Sequence, residues 1–154
     1  MPAHTIPPIE EIVGTFELLG DWEERFSYLL DLGRNLPEFA DSERTEARRV
    51  HGCQSNVWLD LEVQHGAEPR VRLRAVSDAH IVNGLIAILI SAYDGRTPGQ
   101  VLAFDIKGLL VKIDLESHLS GTRRNGLAAM VERIRAEAAA AQESNAKANP
   151  GEGD

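Results

Sequence analysis

The sequence predicts an α+β domain in which a small antiparallel sheet of about three strands is covered by helices. Two observations carry that prediction. Apolar residues recur at helical spacing before residue 33 and again after residue 77, and between those stretches the apolar period drops to two. A third bounds the domain count: 154 residues with 43% hydrophobic content form one core without disulfide staples. Residues 1–140 read as that single domain, and 141–154 as a disordered tail with no apolar residue beyond alanine.

The elements follow in order. "MPAHTIPP" is a lead-in whose prolines suit a helix start. Ile9, Ile12, Val13, Phe16 and Leu19 then form one apolar stripe closed by Gly20. Asp21 is placed to cap a second helix, with Glu24 completing a capping box and Trp22, Phe26, Leu29 and Leu30 facing inward. Gly33 fits the left-handed residue that ends such a helix. "ADSERTEARRV" is charged and only weakly periodic.

Beyond residue 56, Val57, Leu59, Leu61 and Val63 alternate with Trp58, Asp60, Glu62 and Gln64. After the turn "HGAEP", Val71, Leu73 and Ala75 alternate with arginines. Setting Val63 opposite Val71 aligns the apolar faces and places Glu62 against Arg72 and Asp60 against Arg74, so these charges read as a solvated sheet face. "AHIVNGLIAILISAYDG" is apolar nearly all round and predicts a central helix, with Ser77 or Asp78 as its cap and Gly84 marking close backbone approach. Thr97-Pro98 starts a short helix. "IKGLLVKIDLESHLSG" fits a helix or a short strand. The final helix starts near Asn125, with Leu127, Met130, Val131 and Ile134 inward.

Composition narrows the functional classes. A net charge of −8 disfavours phosphate backbones, so nucleic acid is not an expected partner. The longest apolar stretch, "IVNGLIAILISA", is shorter than the ~20 residues of a membrane span, and no signal peptide pattern opens the chain. A cytoplasmic location is expected. The five histidines lack paired helical spacing, and with one cysteine neither a metal site nor a bound cofactor is expected. Nucleotide-binding glycine motifs and a serine nucleophile elbow are missing from the sequence.

The single cysteine, Cys53, sits in "RVHGCQSNVW", and its solitude points to a free thiol in a reducing compartment. A lone cysteine is most simply a small buried hydrophobe. Its neighbours argue otherwise: Gly52 makes a tight loop cheap, and Gln54 and Ser55 do not belong in a dry core. Arg48, Arg49 and His51 offer a positive field that would favour thiolate. His51 stands two residues from Cys53, close enough to act as a base, although such a histidine is more often a surface hydrogen-bonding group. Val57, Trp58 and the aromatics of the second helix are the candidates for an apolar shelter. On these grounds an inert and a working thiol both stay open.

Four blocks go further. "GDWEERFSYLLDLGRNLP", "RTEARRVHGCQSNVWL", "SDAHIVNGLIAILISAYDGRTP" and "HLSGTRRNGLAAMV" together resemble, in order, the SufE family of sulfur acceptors. The resemblance implies the SufE/IscU-like α+β fold and work in iron–sulfur cluster assembly. It implies that Cys53 accepts a persulfide sulfur from a pyridoxal-phosphate-dependent cysteine desulfurase and stimulates that enzyme. His51, Gly52, Gln54 and Ser55 would form the persulfide loop, and Arg123 of the HLS-x-x-R block would face the partner. An iron–sulfur scaffold is a further candidate partner, and a homodimer is as compatible as a monomer. The chain departs from the family pattern at Gly121, often proline, and at Val76, commonly acidic. Two other readings remain: a stand-alone thiol enzyme with His51 as base, and a module that activates a desulfurase by contact alone.

Overall fold

The computed structural model describes residues 6–53 and 55–148. Six helices and one two-stranded sheet are found among them, in the order α1 (Ile9–Leu18), α2 (Trp22–Gly33), β1 (Val57–Gln64), β2 (Arg70–Ser77), α3 (His80–Tyr93), α4 (Pro98–Ala103), α5 (Ile106–Lys112) and α6 (Gly121–Ala148). Short 3-10 turns lie at Asp41–Glu43, Glu46–Arg48 and Glu116–His118.

The apolar run of α3 puts it at the centre, buried from Gly84 through Ile90. Helix α2 crosses it where both backbones present glycine. A methyl on Gly84 would collide with the Leu29 carbonyl oxygen, and one on Gly33 would stand 2.7 Å from the Gly84 nitrogen. Gly33 is therefore a contact residue inside α2, not the left-handed terminator its position suggested. The α2 start follows the sequence, since Asp21 Oδ1 accepts from the Glu24 N–H at 2.9 Å. Thr97 and Gln100 form a reciprocal capping box at α4.

The hairpin register is the expected one, with Val63 opposite Val71, Glu62 opposite Arg72 and Asp60 opposite Arg74. Val57, Leu59, Val71, Leu73 and Ala75 are buried against the helices. On the outer face Arg74 binds Asp60 at 3.0 Å, while Arg72 reaches Asp94 at 3.7 Å.

The expected third strand is absent among the described residues. Its place beside β1 is taken by a single bridge between Arg49 and Trp58 and by the Val50 N–H, which donates to the Val57 carbonyl at 2.9 Å. Beside β2, the Val71 N–H donates to the Arg96 carbonyl and the Leu73 N–H to Asp94 Oδ1. The charged 41–49 stretch lacks an apolar period of two, so it winds into 3-10 turns and leaves little extended backbone to pair.

One stretch that the sequence left open resolves as helix, and the bounds of the last helix differ from expectation. The ambiguous 106–118 stretch is α5 followed by a 3-10 turn. Helix α6 starts at Gly121, where Ser120 Oγ accepts from the Arg123 N–H, and it continues to Ala148 through part of the segment expected to be disordered. Alanine-rich sequence has high helix propensity without apolar content, which explains the extension. Residues 149–154 lie outside the described residues.

Candidate functional site at Cys53

The segment before Cys53 is a strap fastened to the outer face of the hairpin. Arg74 binds Glu43 at 2.5 Å and donates to the Glu38 carbonyl, and Arg48 Nε lies 3.3 Å from Asp60. The Arg74 hydrogen bond, aided by the Ala40 N–H, holds the Glu43 carboxyl down at about 2. The strap ends at Val50, tied to Val57, and the chain is fixed again at Asn56, whose N–H and side-chain amide donate to Asp78 at 3.2 and 2.7 Å. Between these two posts the loop turns on Gly52, at φ 95°, a conformation that costs a glycine little.

Cys53 hangs from that loop over the first turns of α6. Its thiol donates to the Gly126 carbonyl at 3.5 Å. A cavity of about 40 Å³ opens beside it, walled by Val57, Val82, Leu85, Leu127 and Met130, with Ser55, Thr122 and Arg123 at its polar side. That volume is enough for at least one extra atom on sulfur. The thiol is partly exposed. Burial pushes its pKa up and the Arg49 charge partly opposes the rise.

The residues singled out in the sequence divide here. Cys53, Ser55 and Arg123 meet at one cavity. Gly52 supplies the turn. Gln54 lies outside the described residues. His51 points away: its Nε2 is 2.9 Å from Glu46 and its side chain is 72% exposed, so no base is delivered to the sulfur. The shelter also differs from expectation. Val57 contributes, but Trp58 lies under the Arg44 and Arg49 guanidinium groups, and Trp22 stacks on the His118 ring at 3.9 Å. The walls come from α3 and α6 instead. Leu127 and Met130 were legible as part of an inward α6 face, but neither they nor Gly126 as neighbours of a cysteine more than about 70 residues earlier.

A family model for the SufE Fe-S metabolism associated domain matches residues 10–138. The chain belongs to the SufE family. An uncharacterized SufE-like protein of Rhizobium meliloti (strain 1021) is 40% identical over 131 residues, covering 84% of this chain and 94% of its own. One from Rhizobium etli is 42% identical over 131 residues, covering 84% and 88%. The solution structure of a hypothetical protein from Thermus thermophilus superposes with a TM-score of 0.72 at 26% identity, over 90% of this chain and 99% of that one. SufE membership ties the protein to iron–sulfur metabolism. No helix among the described residues is long and apolar enough to cross a membrane.

Proposed function

We propose that the protein is a sulfur acceptor that takes a persulfide sulfur from a pyridoxal-phosphate-dependent cysteine desulfurase onto Cys53. It thereby stimulates the desulfurase and passes the sulfur on for iron–sulfur cluster assembly. The observation that carries this reading is the Cys53 sulfur beside a largely apolar cavity with room for one more atom, on a short loop anchored at both ends.

The step balances without an added oxidant. The Cys53 thiolate attacks the outer sulfur of the donor persulfide, a new S–S bond forms, the donor's S–S bond breaks, and its electron pair leaves on the desulfurase cysteine. The proton stays with the transferred sulfur. Exchange between similar sulfurs requires in-line placement more than acid–base help, and a loop that swings out and back supplies placement. In the free protein burial raises the thiol pKa, so it reacts more slowly than once a partner draws the loop out. Returned to its cavity, the persulfide is screened from reductants by Val82, Leu85 and Met130. Arg123, which lines the cavity, is the residue expected to meet the partner's surface on this reading.

The stand-alone enzyme reading has less support, because His51 pairs with Glu46 at 2.9 Å. Desulfurase turnover measured with the wild-type chain and with Cys53→Ser tests the proposal. The acceptor role requires stimulation to vanish with the thiol. Full stimulation by Cys53→Ser would instead identify a contact-only activator.

A further inference from the structure

Helix α6 touches the cysteine segment along one stripe at helical spacing. The Gly126 carbonyl accepts from Cys53, the Ala129 methyl lies 3.3 Å from where a Gly52 Cβ would stand, and Arg133 reaches the strap. Arg133 donates from Nη2 to the Ala47 carbonyl at 2.6 Å and from Nη1 to the Arg49 carbonyl at 3.0 Å, while its Nε pairs with Glu137. A 3-10 turn ending at Arg48 leaves the Ala47 carbonyl to an outside donor, and a planar guanidinium spans it and the carbonyl of Arg49, the residue after the turn. The other ties on the strap, Arg74 to Glu43 and Arg48 to Asp60, run to the hairpin and not to α6.

We infer that Arg133 is a latch that fixes the strap to α6 and so holds Cys53 over its cavity in the free protein. It is a positioning residue, acting through the Ala47 and Arg49 carbonyls, with the second of these four residues before the cysteine. With the latch open, the Val50–Val57 and Asn56–Asp78 ties still hold the loop's ends to the sheet, but the strap leading into the loop is no longer held against α6, and the cysteine is freer to move off that helix. The latch's value for sulfur transfer rests on the acceptor reading above; its effect on thiol access does not.

Alkylation of Cys53 by iodoacetamide in the free protein, followed across pH, reads the latch directly. Arg133→Met is expected to raise the rate about tenfold, through loss of two hydrogen bonds from a charged donor, and to lower the pH midpoint towards that of an ordinary thiol. Arg133→Lys, which cannot span both carbonyls, should fall between, and it carries the test should the methionine variant fail to fold. Arg135→Met on the same helix breaks a 2.9 Å bond to the Leu102 carbonyl and should alkylate like wild type. A wild-type rate and midpoint in the Arg133 variants, or an equal rise in Arg135→Met, overturns the latch. Incubating the same proteins with a desulfurase and cysteine separates the two ideas. Failure of every variant to gain sulfur defeats the acceptor reading and leaves the alkylation result standing.

Discussion

A thiol is a nucleophile only as its anion, so the surroundings of Cys53 decide when it reacts. Burial beside Val57 and Leu127 favours the neutral form, and Arg49 only partly offsets it. With the pKa raised, the thiolate forms later as pH increases, so the alkylation midpoint of the free protein should lie above that of cysteine in a flexible peptide. A midpoint at or below the peptide's would mean that Arg49 outweighs burial. Of these residues, Gly52, Cys53 and Arg123 were legible in the sequence because a loop glycine, a lone thiol and a family motif each have a local signature. The true orientation of His51 was not. Its partner Glu46 lies in a 3-10 turn, and the alternation that places residues i and i+2 on one side holds only for extended chain.

The cavity is walled by α3, α6 and the first residue of β1, with α2 packed on α3 and the strap leading into Cys53. Helices α2 and α3 meet with Gly84 against Leu29, so Gly84→Ala should cost about 3 kcal/mol in urea unfolding, the upper range for overpacking against backbone. A loss under about 0.5 kcal/mol would show that the helices can separate freely. The strap depends on ionised Glu43. Its carboxyl sits at about 2 when folded and near the ordinary carboxylate value when unfolded, so its contribution is whole above about pH 4.5 and is lost as pH falls towards 2. Wild type should therefore lose thermal stability across that window more steeply than Glu43→Gln, and parallel curves would contradict the role given to the Arg74–Glu43 pair. The hairpin register was readable because a period of two fixes both face and pairing. The missing third strand and the early start of α6 were not, since one turns on whether the charged segment before β1 extends beyond the single Arg49–Trp58 bridge and the other on a single capping serine.

At the level of the molecule, SufE membership and an acidic chain of net charge −8 are joined to one sulfur poised at a helix seam. A sulfur acceptor, as proposed above, has to protect its cargo and still release it. The proposal fits a thiol hung on a loop with fixed ends, over a cavity built from two helices that also make the core. The most direct measurement is intact-protein and peptide mass spectrometry after incubation with a cysteine desulfurase and free cysteine, without reductant. The account predicts one added sulfur on the peptide containing Cys53, removed by reductant and absent from Cys53→Ser. A Cys53 peptide that keeps its unmodified mass while the desulfurase carries its own persulfide would contradict it.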